Sequence, residues 1–282
     1  MNRYVGGAYS EIPGIDRAWY GRQAPEGSPV ADQLKYDFAS RLQSIVGDLR
    51  LLYMPDGADG TTNTDLSRYA ATLTYDATVA GNLTRLGSGL YWTLDGTADE
   101  ADTPDAARYS FGDGTLDSPF SLIALVNVTA TTGIKEVLTK YDITTGVTAR
   151  EWRFYFDASE FPTFEVYDES AAANIGRQDA TAAIGDQLFT CTYDGTRVAA
   201  GIDIYLNLTA VDDTASSAGT YVAMEDTASL VRLGMSKGAS AQVNFFNGRI
   251  YMVALVGGKM SLDEIFAVRE LCNSYFDMAL GA

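Results

Sequence analysis

The sequence predicts an all-β fold, an antiparallel sandwich of two sheets, with an N-terminal extended arm and helix and a short C-terminal helix. Three observations predict it. Short runs in which apolar and polar residues alternate recur through the middle of the chain, separated by turn residues. Helical periodicity is confined to one stretch near each end. The chain has 282 residues with 46% hydrophobic content, enough to bury one large core in a single domain. Residues 1–47 are therefore read as an arm plus an amphipathic helix for anchoring or oligomerisation, and residues 48–282 as the sandwich.

Residues 1–29 hold Gly6-Gly7, Pro13, Pro25 and Pro29 without periodicity, which predicts an extended arm. Its Tyr4, Tyr9, Ile12, Ile15, Trp19 and Tyr20 are more apolar than a disordered linker carries, so the arm needs a surface to pack on. That surface is its own sandwich on one reading and a neighbouring subunit on the other, with Tyr9, Trp19 and Tyr20 as candidate partner contacts. Val30–Val46 places Val30, Leu34, Phe38, Leu42, Ile45 and Val46 at helical spacing. This helix either covers the sandwich or presents Leu34, Phe38 and Leu42 to another subunit, and the expected assembly is a homo-oligomer.

Leu49–Met54 predicts the first strand. The loop Pro55–Arg68 follows, and its Asp56, Asp59, Asn63 and Asp65 are hard oxygen donors whose order departs from the Asp-x-Asp-x-Asp-Gly pattern with a distal Glu. A second acidic loop holds Asp95, Asp99, Glu100 and Asp102; Asp95 and Asp99 are candidate Ca²⁺ ligands, with a solvated turn as the other reading. Further strands are predicted at Leu122–Val128, Glu136–Lys140, Glu151–Asp157, Thr163–Tyr167, Gln187–Tyr193 and Ile202–Leu208. Trp152, Phe154 and Phe156 share one face of their strand while Arg153, Tyr155 and Asp157 share the other, so Trp152 is assigned to the core. Trp92, in step with Leu90 and Leu94, is assigned there too. Val211–Thr220 reads as a surface loop.

The net charge of −17 opposes binding to phosphate backbones and to anionic membranes, which needs clustered Lys and Arg. The longest apolar runs, such as Ile250–Val256, are far shorter than the ~20 residues of a spanning helix. Met1–Ser10 has no continuous apolar core of the length a secretory signal requires, so the chain as given shows no export route. Asn82, Asn127 and Asn207 head Asn-x-Thr triplets, read as coincidence in a Thr-rich chain. Cys191 and Cys272 both fall on apolar faces and read as buried free thiols. Histidine is absent, which removes the commonest general base and the commonest transition-metal ligand.

At the C-terminal end, Asn247-Gly248 predicts a turn, Arg249–Val256 a strand, Gly257-Gly258 its end, and Ser261-Leu-Asp-Glu264 a capping box that starts a helix. Upstream, in order, stand Tyr91–Gly96, Ser118–Val126, Ile134–Asp142, Gly185–Gly195 and Ile202–Leu208. This series resembles the laminin G-like branch of the concanavalin A-like lectin and glucanase sandwich domains, and it covers Asp48–Ala282. Leu188, Phe189 and Thr190 stand where that family often writes Trp-His-His, Asn207-Leu208 where it writes Asp-Gly, and Leu125 where many relatives carry Trp. The resemblance implies a jelly-roll sandwich. The family spans lectins, adhesion modules, virion proteins and glycosidases, so fold alone does not assign function.

Glycosidases of this architecture use two carboxyl groups about 5 Å apart for retention. Glu165 and Glu169 share a face but lie ~13 Å apart on a regular strand, with Tyr167 between them. The sequence thus predicts no enzyme and no cofactor beyond Ca²⁺. The leading expectation is a non-catalytic interaction protein displaying the sandwich on an assembly, with capsid or tail proteins as partners. The resemblance suggests a bacteriophage decoration, fibre or tail-associated protein, placed on a virion surface or outside the cell. A lectin-like, glycan-binding adhesion module using exposed Tyr and Asp/Asn loop residues is the second expectation, and a polysaccharide hydrolase the third.

Overall fold

Phe120–Val128 sets the architecture. Phe120, Leu122, Ala124, Val126 and Val128 lie on one face, yet Ile123 and Leu125 make the opposite face apolar as well. A strand of this kind is stable only when both of its faces are covered.

The structure, a computed structural model, describes residues 29–56, 61–75, 83–129, 132–144 and 148–281, with the side chains of the first helix from residue 33. In chain order the elements are α1 (Pro29–Val46), β1 (Leu49–Tyr53), β2 (Thr62–Thr64), β3 (Thr72–Tyr75), β4 (Leu83–Leu86), β5 (Gly89–Asp95), β6 (Ala101–Thr103), β7 (Phe120–Val128), β8 (Lys135–Asp142), β9 (Ala149–Phe156) and β10 (Pro162–Asp168). They continue as β11 (Ala173–Gln178), β12 (Gly185–Tyr193), β13 (Ile202–Leu206), β14 (Thr209–Ala210), β15 (Thr214–Ala218), β16 (Val231–Leu233), β17 (Ser236–Lys237), β18 (Gln242–Val243), β19 (Asn247–Gly257) and α2 (Leu262–Phe276).

Two sheets form, in agreement with the predicted sandwich. One is eight-stranded, ordered β14-β13-β12-β7-β19-β5-β4, with β1 also on β19. The other is eleven-stranded, ordered β15-β11-β10-β9-β8-β16-β6-β3-β2, with the β17–β18 pair joined to β8. The long strand β19 runs along β7 on one side; on its other side Asn247–Ile250 pairs with β5 and Val253–Val256 with β1. Asn247-Gly248 is therefore strand and not the expected turn. Gly248 is needed there because a Cβ at this position would stand 2.0 Å from the Asn127 carbonyl oxygen. Thr214–Ala218, expected as loop, pairs as an edge strand with β11.

Between the sheets lies a core that includes Trp92, Phe120, Trp152, Phe154, Phe189 and Ile250. A second core fills the space between the eight-stranded sheet and the two helices, joining Phe38, Leu42 and Val46 of α1 to Ile123, Leu125, Met252, Ala254, Val268, Cys272 and Phe276. Leu34, Phe38 and Leu42, offered above as partner contacts, are thus inward-facing: Phe38 and Leu42 are buried and Leu34 packs against them. Phe38 meets the rings of Tyr275 and Phe276 at 4.9 and 6.2 Å. Tyr9, Trp19 and Tyr20 lie outside the described residues. The expected capping box is present, with the Ser261 N–H donating to Glu264 Oε2 at 2.7 Å and the Ser261 hydroxyl accepting from the Glu264 N–H at 3.4 Å. Both cysteines are buried free thiols.

Because Phe38 fills the second core, Phe38→Ala is expected to lower unfolding free energy by about 3–5 kcal/mol in urea titration. A loss below ~1 kcal/mol contradicts the docking of α1.

Candidate functional site

The outer faces of the two sheets differ in chemistry. That of the eight-stranded sheet is apolar and lies beneath the helices. That of the eleven-stranded sheet is built from tyrosine, arginine, carboxyl and amide side chains.

Strand register brings these groups together. Glu165 on β10 stands opposite Arg153 on β9, Tyr155 opposite Glu136 on β8, and Tyr167 opposite Asn174 on β11. Between β8 and β9 the register shifts, Lys140 facing Trp152 and Tyr141 facing Arg150, so Glu151 is the extra residue of a bulge. Arg150 and Arg153 consequently reach the same face: their guanidinium carbons lie 5.3 and 5.5 Å from the Tyr167 ring centroid. Glu151 turns elsewhere, to a buried pair with Lys140. Simple alternation could not foresee that.

Arg153 is the hub. Its Nε and a terminal nitrogen donate to Glu165 Oε2 at 2.9 and 2.7 Å, and its other terminal nitrogen donates to Glu136 Oε1 at 3.3 Å. Its guanidinium carbon lies 4.1 Å from the Tyr155 ring centroid and 4.8 Å from that of Tyr141, within cation–π range. The Tyr167 hydroxyl and the Asn174 amide donate to Glu165. Gly176, opposite Glu165, leaves room for it, since a Cβ there would stand 2.6 Å from Glu165 Cγ. Arg150 grips Glu169 through both oxygens at 2.6 and 3.2 Å. Each of the two acids weighed above as a catalytic pair therefore has its own arginine. Tyr155 and Tyr167 are buried beneath this network, whereas Tyr141, Arg150, Arg153, Asn174 and Asn244 reach solvent.

Glu136 is fully buried, and among the described residues no hydrogen-bond partner meets its Oε2. Burial pushes its carboxyl up to about 7, against the opposing pull of Arg153. Burial also raises the Tyr155 and Tyr167 hydroxyls. At Glu169 burial acts in the same upward sense, but the bonds from Arg150 and Thr148 overcome it and hold the carboxyl below its usual range.

The acidic loops are occupied by their own backbones. Asp95 accepts from the Thr97 and Ala98 N–H groups at 2.7 and 3.2 Å and from the Thr97 hydroxyl, which lowers its carboxyl. Asp99 is buried and accepts from the Asp95 N–H at 2.6 Å. Asn63 donates to the Met54 carbonyl and Asp65 accepts from the Leu52 and Ser67 N–H groups. Asp59 lies outside the described residues. Among the described residues no cluster of three or more acidic or cysteine side chains is arranged to hold a metal ion; Asp95 and Asp99 are loop staples in this structure.

No protein-family model matches the chain, and no curated protein sequence matches it. Solved structures do. A Trypanosoma rangeli sialidase in complex with sialic acid superimposes with a TM-score of 0.55 at 16% identity, over 88% of this chain and 38% of the sialidase. The binding domain of Paraclostridial Mosquitocidal Protein 1 gives 0.56 at 12%, over 83% of this chain and 53% of that one. Botulinum neurotoxin type C, whose passage into cells depends on two ganglioside molecules, gives 0.53 at 10%, over 81% and 52%. The chain thus spans well under two thirds of the structures it resembles, and at these identities the likeness establishes the β-sandwich fold. The laminin G-like assignment remains a resemblance of motifs. The expectation of a protein with no enzymatic role is corrected here: sialidases, one in its covalent-intermediate form, carry a body of this shape.

Glu136 gives a pH test. The folded chain keeps its proton up to about 7, while the unfolded chain releases it near the ordinary value of 4.5, so stability falls as pH rises between those values. We expect Glu136→Gln to remove a loss on the order of 2 kcal/mol between pH 5 and pH 8 in urea titrations; an unchanged slope contradicts the assignment. Asp95 has a depressed carboxyl, so its contribution is full above 3.8 and disappears as pH falls through its lower folded value.

Proposed function

We propose that this chain is a glycan-recognition module that binds sugar on the outer face of the eleven-stranded sheet. One observation carries the reading: tyrosine, arginine and amide groups converge at the solvent edge of a rigid sheet, while the other sheet's outer face is taken by helices. Sugars are recognised by ring stacking combined with planar, multidentate hydrogen bonding, and Tyr141, Arg150, Arg153, Asn174 and Asn244 offer both. The similar structures that were determined with sialic acid or characterised by ganglioside dependence support a sugar as the ligand class. The setting we attach to it, display on a larger assembly such as a virion, rests on the motif resemblance and on the aromatic composition of residues 1–28.

A second reading, glycoside hydrolysis, has its own observation. Glu136, whose carboxyl burial raises to about 7, shares Arg153 with Glu165, and hydrolysis of this type uses two neighbouring carboxyl groups, one of them a general acid with a raised pKa. Release of aglycone from aryl glycosides, including a sialoside, that vanishes in Glu136→Gln supports catalysis; no release from the wild-type chain removes it.

For the binding reading, a glycan array followed by calorimetry on the best ligand is the test. Tyr141→Ala is expected to weaken binding roughly tenfold with the fold intact. Equal affinity in the variant, or no glycan bound by the wild type, overturns the site.

A further inference from the structure

The chain carries a net charge of −17, yet three of its arginines meet at one place. Arg50 on β1, Arg68 in the loop before β3 and Arg108 in the turn after β6 surround the half-exposed ring of Tyr69 and the carboxylate of Asp48. The guanidinium carbons of Arg68 and Arg108 lie 4.8 and 4.9 Å from the Tyr69 ring centroid. Arg50 and Arg68 donate to the two oxygens of Asp48 at 2.9 and 3.1 Å. Arg50 also donates to the Arg108 carbonyl at 3.2 Å, and Arg108 to the Tyr109 hydroxyl at 2.8 Å. Asp65, on the same loop as Arg68, is buried, with its oxygens engaged by Leu52 and Ser67.

Positive charge therefore exceeds negative charge here. A guanidinium has five N–H donors, and the bonds above use no more than two from each. Among the described residues Arg108 Nε is buried without a partner. Aromatic contacts hold all three forks in place, Arg50 lying 5.0 Å from the Phe111 ring centroid and Arg68 and Arg108 beside Tyr69, so little side-chain freedom remains to be lost when an oxyanion arrives.

We propose that Arg50, Arg68, Arg108 and Tyr69 form a binding site for the carboxylate of an acidic sugar. The oxyanion preference follows from the arginine forks, which match a carboxylate in two-point geometry; the sugar rests on the function proposed above. A polyanion is disfavoured, because the surrounding charge of −17 repels it while the attraction of the patch is screened over ~8 Å in physiological salt. The ligand class is thus a glycan with a single, isolated acid group.

The test titrates the full chain with glucuronate, with glucose and with inorganic sulfate, following the arginine Nε–H resonances by NMR. Glucuronate and sulfate are expected to shift Arg50, Arg68 and Arg108, and glucose is not. Arg68→Ala, at a side chain 62% exposed and so tolerated by the fold, should weaken glucuronate binding about tenfold, and Arg68→Lys should restore only part of it. Sulfate binding without glucuronate binding keeps the anion site and overturns the sugar assignment. Absence of shifts with both anions, or equal shifts with glucose, overturns the site itself, even where sugar still binds the tyrosine-lined sheet.

Discussion

The structure depends on a strand pair, β7 and β19, that is apolar on both faces. Inward, Phe120, Leu122, Val126, Ile250, Val253 and Leu255 fill the sandwich; outward, Ile123, Leu125, Met252 and Ala254 need a second cover. Burying a side chain of this kind is worth about 1.5–3 kcal/mol, so an exposed outer face would forfeit a large part of a domain's stability. The two helices supply that cover from opposite ends of the chain. Helix α2 follows β19 directly, fixed by its capping box, and α1 precedes β1, which pairs with the same strand.

Covering one sheet in this way leaves the other free to be polar. Its outer face replaces apolar packing with charge: Arg153 serves two carboxyl groups and lies close to the rings of Tyr141 and Tyr155. The acidity of the chain has the same logic at the loops. Asp168 accepts from the Val222 and Ala171 N–H groups, Asp117 from the Met224 N–H and the Tyr193 and Tyr221 hydroxyls, and Glu151 from the Thr227 N–H, tying the irregular segment between β15 and β16 to three different parts of the fold. Much of the negative charge thus satisfies backbone donors that have no strand partner.

The legible parts of the sequence were those where one local rule acts alone. Trp152, Phe154 and Phe156 alternate without interruption and are core, and Ser261 with Glu264 caps a helix as written. Thr214–Ala218 was illegible because its small residues carry no alternation; backbone pairing with β11 alone makes it a strand. Asn247-Gly248 misled because the demand for glycine came from a neighbouring carbonyl and not from a turn. The apolar stripe of α1 was visible, but its partner, α2 and the sheet, is distant in sequence. At the polar face, Glu136 and Tyr141 stand five residues apart, which simple alternation puts on opposite faces; the register shift past Glu136 brings them to one face, and the bulge at Glu151 brings Arg150 beside Arg153.

The central claim is that the two outer faces of the sandwich are unequal, one sealed by helices and the other presented to a ligand. Hydroxyl-radical footprinting of the full chain, with and without a bound oligosaccharide, tests it most directly. Tyr36, exposed on α1, is expected to be labelled equally in both states, while Tyr141 loses label when sugar is bound. Protection on the helices with Tyr141 unchanged would contradict it.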